Sequence, residues 1–192
     1  MIKIFLVIVV LLKVFFVCAY NTGDIVLVPA SKSLSVRERV IKFFSNVDDF
    51  KYRHVGVYVN ETTLKALGKP YDKPMHVGVH NLYDGLFFHD VEKNAVVRRV
   101  VCENDDDVDW AGIIKRLEKE RVHFDKNIAH AYCYKYQSCK IPQKNAFYCP
   151  SFTSHMQQLA GRELKSGDIM FDTLDTYGSK TNPFKSCKFL NN

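Results

Sequence analysis

One cysteine and a group of strand-borne histidines are the residues of this chain best suited to carry chemistry. Cys149 lies in Tyr148-Cys149-Pro150-Ser151-Phe152. Pro150 has the fixed φ that suits the first turn of a helix, and Phe152, Met156 and Leu159 follow at helical spacing. The spacing predicts a sulfur at a helix mouth, where unpaired N–H groups and the positive end of the dipole favour the thiolate, the nucleophilic form. A buried structural thiol is the alternative role for such a residue. A thiol nucleophile also needs an imidazole to take its proton and a third polar group to orient that imidazole.

Seven histidines are available. His54 opens the run His54-Val55-Gly56-Val57-Tyr58-Val59, and His76 and His80 bound the run His76-Val77-Gly78-Val79-His80. If these runs pair antiparallel with Val59 opposite Met75, paired residue numbers sum to 134 and His54 faces His80. Directly opposed residues have Cβ atoms ~5 Å apart, so His54 is the candidate base and His80 its candidate orienting partner. His76 falls four residues along the ladder on the same face, ~13 Å from His54 at strand rise, and is set aside. His89 is the substitute third member, because the register around Asp84-Gly85 is open. His123, His130 and His155 are expected to be hydrogen-bonded core or surface histidines. A metal site at His76, His80 and His89 is disfavoured: Cys133-x5-Cys139 fits none of the usual zinc spacings, and no cofactor is expected.

The elements that must position these groups follow from the periodicity. Ile25 to Ala30 reads as a buried strand after a Gly23-Asp24 turn. Ser35 to Val47 reads as an amphipathic helix opened by the capping-box spacing of Ser35 and Glu38. Strands are predicted over His54 to Val59, Met75 to His80, Leu86 to Val91 and Ala95 to Cys102, then a helix from Trp110. The acidic run Glu103 to Asp109 is read as capping that helix. The Tyr-rich segment Asp125 to Lys140 is read as helical in part, the Cys149 helix is expected to end near Gly161, and Asp168 to Asp172 is a candidate last strand. Antiparallel strands carrying histidines, packed on a helix carrying a cysteine, make an α+β arrangement.

Residues 1–19 have the pattern of a cleaved secretory signal: Lys3, an almost wholly apolar run from Ile4 to Val17 interrupted by Lys13, and Val17-Cys18-Ala19 ahead of Tyr20. The expected location is therefore outside the cell or in a secretory lumen or periplasm. Tyr20 to Asn192 is read as one domain with five cysteines. Cys102, Cys133, Cys139 and Cys187 can form two disulfides in any of three pairings, leaving Cys149 odd. Asn60-Glu61-Thr62 fits an N-glycosylation acceptor in a eukaryotic route. The chain has 27 Lys+Arg against 21 Asp+Glu, and without Lys3 and Lys13 this is 25 against 21, a net of +4. That surplus is scattered and not interleaved with aromatics, which argues against a nucleic-acid partner.

Taken in order, Gly23-Asp24-Ile25-Val26, the Ser31 to Phe44 turn and helix, His54-Val55-Gly56-Val57-Tyr58, Ala95-Val96-Val97-Arg98-Arg99 and Tyr148-Cys149-Pro150-Ser151-Phe152 resemble the circularly permuted NlpC-like branch of the papain fold. That branch includes YaeF/YiiX-like proteins, lecithin:retinol acyltransferase-like enzymes and a poxvirus relative. In it the histidine precedes the cysteine, as here. The resemblance implies a permuted papain-like fold with Cys149 as nucleophile, His54 as general base and His80 as third residue. It implies acyl transfer through a thioester, with hydrolysis of an amide in a peptide or peptidoglycan first. A lipid ester, with contact to a membrane through that substrate, comes second. The chain departs from the pattern at Pro150, which follows the cysteine and removes an N–H that could face an oxyanion, and in its four additional cysteines. A disulfide-stabilised binding module that keeps the fold without the activity is the alternative from another class.

Overall fold

The computed structural model describes residues 20–30, 52–103, 105–126, 145–165 and 183–190. Within them the elements run β1 (Ile25–Pro29), β2 (Tyr52–Val59), α1 (Glu61–Ala66), β3 (Met75–Val79), β4 (Leu86–Asp90), β5 (Val96–Cys102), a 3₁₀ turn (Asp105–Asp107), α2 (Trp110–Lys119), β6 (His123–Phe124), β7 (Ala146–Phe147), α3 (Cys149–Leu159) and β8 (Cys187–Leu190). A six-stranded sheet has the order β4-β3-β2-β1-β5-β8, antiparallel throughout, so the molecule is α+β as its periodicity predicts. The predicted 35–47 helix, the 125–140 segment beyond Lys126 and the 168–172 strand lie outside the described residues, as do residues 1–19, His130, Cys133 and Cys139.

The β-branched runs form strands because alternate side chains can be buried on one face of the pleat. Val57, Val59, Val77 and Val79 point to one side of β2 and β3 and pack on Phe152 and Met156 of α3 and on Trp110, Ile114 and Leu117 of α2. Ile25, Leu27, Val55 and Val100 continue that face onto Leu164 and Phe184. The other residues of β2 and β3, His54, Gly56, His76 and Gly78 among them, therefore face away from α3. The short parallel pair of β6 and β7 joins the end of α2 to the residues just before Cys149.

A buried polar joint fixes α3 against the sheet. Gly23 has φ +103°, and its carbonyl accepts hydrogen bonds from Gln157 Nε2 at 2.8 Å and Arg162 Nη1 at 2.9 Å. Arg162 also donates to Asp105 Oδ1 at 2.7 Å and lies over the Trp110 ring, 5.1 Å from its centre. A Cβ on Gly23 would lie 2.3 Å from Trp110 Cζ2 and 2.8 Å from Arg162 Nη1. Gly23→Ala combines a left-handed backbone with an overpacked contact, each worth about 1–3 kcal/mol, and is expected to lower unfolding free energy by about 3 kcal/mol. Urea denaturation checks this through a lower midpoint at unchanged slope.

At the other edge Cys102 and Cys187 are directly paired residues of β5 and β8 and form a disulfide. Asp109 caps α2, its Oδ1 accepting from Gly112 N–H at 2.8 Å, as the acidic run predicts. The α1 helix is a departure from the sequence reading. Asn60, singled out in the sequence only as a sugar acceptor, is its N-cap and accepts from Thr63 N–H at 3.0 Å.

Candidate active site

Cys149 is the first residue of α3, Tyr148 is the N-cap and Pro150 the second helical residue. A proline costs nothing there because the N–H it lacks has no partner within the helix. The Tyr148 N–H donates to Ser151 Oγ at 3.0 Å, which closes the first turn. Cys149 is a free cysteine, and its thiol donates to the Val79 carbonyl at 3.4 Å.

The acceptor shows where the sulfur lies. Tyr58 exchanges backbone bonds with the Gly23-Asp24 turn, so the backbone groups of Val55 and Val57 point to β3 instead. The observed register pairs Val59 with Met75 and Val57 with Val77, as the hydrophobic pattern predicts. Continued, it sets Val55 opposite Val79. The sulfur lies on both of these residues, since the Val55 amide acts on it alongside the amide of Cys149 itself. It occupies the gap between the β2 and β3 backbones where the ladder would have gone on.

The expected thiolate is not the form this position favours. Burial pushes the Cys149 thiol up to about 12, and the two amides only partly oppose it. Desolvation here outweighs the helix end, whose effect at a terminus is typically about 0.3–1 kcal/mol.

The histidines form a cluster on the far face of the same strands. His54 is 8% exposed and His76 is 1% exposed, and none of their four ring nitrogens has a hydrogen-bond partner. The His54 ring centre is 6.2 Å from that of His80 and 5.4 Å from that of His76. The ~13 Å separation expected for His76 from strand rise is therefore corrected. Its cause is the pair of glycines between them. A Cβ on Gly56 would come within 2.6 Å of His76 Cδ2, and one on Gly78 within 3.2 Å of His54 Cε1. With no side chain on either strand, the two rings lean over the gap and meet. The opposed glycines of His54-Val55-Gly56 and His76-Val77-Gly78 are the sequence signal that would have found this contact.

Phe87 stands at the centre of the cluster, 5.4–6.3 Å from the rings of His54, His76, His80 and His89. His89 pairs with His76 in the β3–β4 ladder and stacks on it at 6.1 Å, whereas His80 packs on His54 directly. His80 Nδ1 accepts from Leu82 N–H at 3.3 Å and His89 Nδ1 from Asp90 N–H at 2.9 Å, so in the neutral rings the proton is on Nε2. Burial, then the neighbouring His76, His80, Arg53 and His89, hold His54 well below the usual histidine range. It is neutral at pH 7, the form a base requires.

The structure thus brings His54 and His80 together and seats Cys149 across the strands from them. No hydrogen bond joins Cys149 to His54, since both nitrogens of His54 are without partners. Among the described residues no group of three or more His, Cys, Asp or Glu is arranged to hold a metal ion. His123 bonds to the Arg121 carbonyl at 3.1 Å and His155 stacks on Phe147 at 4.9 Å. A cleft of about 490 Å³ lined by Asp109, Arg116 and Gly161 lies at the opposite end of α3, remote from this chemistry. No helix of the described residues is long and apolar enough to cross a membrane. Comparison of the chain with protein families, with curated proteins and with solved structures finds no match.

Proposed function

We propose that the protein is a secreted cysteine hydrolase of permuted papain-like design that cleaves an amide through a thioester on Cys149. The observation that carries this reading is a free thiol at the first turn of α3, seated between two strands whose other face presents a neutral His54 with both ring nitrogens uncommitted. Buried polar groups left unpaired in this way are unusual, and catalytic use is one explanation for them. The Cys102–Cys187 disulfide accords with an oxidising compartment.

In this mechanism the thiol turns from the Val79 carbonyl towards His54, which takes its proton, and sulfur bonds to the substrate carbonyl carbon. The C–N bond then breaks as the His54 imidazolium protonates the departing amine. Water, deprotonated by His54, attacks the thioester; the acid leaves and the thiol regains its proton. His80, packed against His54, is the residue assigned to orient it.

A second reading, a binding module without activity, is favoured by one specific feature: the thiol is protonated and committed to a main-chain acceptor. Incubation with peptide, peptidoglycan and lipid-ester substrates, followed by acid quenching and mass mapping, separates the two. The enzyme reading expects an acyl adduct on the Cys149 peptide that hydroxylamine removes, and the leaving group identifies amide or ester. Absence of turnover across the panel, with iodoacetamide modifying Cys149 equally slowly in wild type and His54→Ala, sinks it.

A further inference from the structure

We propose that the four-histidine cluster around Phe87 is an acid-operated latch, which holds the β3–β4 hairpin on β2 while its two buried rings, His54 and His76, are uncharged and releases it when they take up protons. The inference is independent of catalysis. It rests on where the rings lie, on the face of the hairpin opposite Val77 and Val79, which are packed in the core against α3.

In the sheet order, β3 and β4 reach the remaining strands only through β2. The β2–β3 register runs from Val59↔Met75 to Val57↔Val77, at the end remote from His54 and His80. Beyond it the two backbones are separated by the Cys149 sulfur, and on the face away from α3 contact is maintained by His54 on His76, His54 on His80, and Phe87 on all four rings. Among the described residues, no buried carboxylate faces a charge in the centre of this packing. From β2 it faces Arg53, which is paired to Glu92 at the surface. From β3 it faces His76 and His80, and from the turn Tyr83, stacked on Phe87. From β4 it faces His89 and the outward Asp90, whose carboxylate also pairs with Lys73.

The direction of the effect follows from linkage. Burial, then His89, lowers His76 to about 4, only partly opposed by Asp90 and the His89 backbone, while His54 is held lower than the usual range by burial and the other rings. Released into water, both rings titrate near the ordinary histidine value of about 6.5, so the open form binds more protons below that pH and acid favours it. For His76 alone, the open population rises about thirty-fold between pH 7.5 and 5. Opening also withdraws the Val79 carbonyl from the Cys149 thiol, which makes that sulfur the reporter.

The test uses 4,4′-dithiodipyridine, which reacts in acid, with mass mapping of Cys149 in the full chain and each rate divided by that of glutathione at the same pH. The normalised rate in wild type should rise about thirty-fold or more from pH 7.5 to 5, and by a clearly smaller factor in His76→Phe, where His54 alone still drives opening. In parallel, hydrogen exchange corrected for intrinsic rates should show β3 and β4 amides losing protection at pH 5 while β1 and β5 keep theirs. His89→Gln, at an exposed position of the edge strand, should show a smaller rise than wild type because one repelling neighbour of His76 is gone. An equal rise in His76→Phe overturns the latch, and so does simultaneous loss of protection in all strands. If His76→Phe does not fold, a His89→Gln response identical to wild type overturns it.

Discussion

Cys149→Ala should lower hydrolysis by at least about 10⁴-fold while leaving the circular-dichroism spectrum and urea midpoint close to wild type. The substitution deletes the only atom assigned to bond the substrate and one long hydrogen bond, Sγ–H to the Val79 carbonyl at 3.4 Å. His54→Ala should cost about 10²–10⁴-fold, the usual share of a general base. Because the two residues act in one step, the double variant should be no slower than Cys149→Ala. A fully additive loss would mean that His54 acts elsewhere, and an undiminished rate in Cys149→Ala would remove the sulfur from the chemistry. The fall should appear in kcat and not in KM, since neither group is assigned to hold the substrate.

The second large effect is on stability against pH, where two buried groups oppose each other. His76 has a folded pKa of about 4 against an ordinary 6.5, so it stabilises the fold above pH 6.5 and loses that contribution as pH falls towards 4, about 3 kcal/mol in all. His54 adds to this loss in the same direction. Asp24 behaves in the opposite sense. It is fully buried, accepts from Val100 N–H and Asn21 N–H, and burial raises it from 3.8 to about 6. Its folded form holds the proton more tightly, so stability rises by about 3 kcal/mol as pH falls from 6 to 3.8. The His76 and Asp24 terms nearly cancel over this range, which leaves the loss at His54. Asp24→Asn removes the gain alone: relative to wild type it should look about 3 kcal/mol better at pH 7 than at pH 4. His76→Phe should show the reverse, with urea unfolding at both pH values as the measurement. The cancellation is also why acid can open β3 and β4 while β1 and β5, joined by Asp24 and Val100, remain folded.

The strands were legible because β-branched residues alternate over five to eight positions with turn residues between them, and the same pattern fixed the β2–β3 register. Chain order and that register placed His54 beside His80. Two things were hidden. The reach of His76 depended on the empty space above Gly56 and Gly78, which distance along a strand does not describe. The state of the Cys149 thiol depended on burial between two strands, a tertiary effect that the helix-start pattern of Tyr148-Cys149-Pro150 does not contain. The short elements were missed for a local reason. α1 has only six residues after its Asn60 cap, and β8 alternates over just four residues held to β5 by pairing and a disulfide.

That disulfide has a further consequence for the molecule's integrity. Cys102 and Cys187 are 85 residues apart, and the covalent ring they close contains α2, α3 and Cys149. A protease that cuts once anywhere between residues 103 and 186 therefore yields two polypeptides that travel as one particle. Only a reductant parts them, so a nicked form would run at full mass on a denaturing gel and divide when dithiothreitol is added.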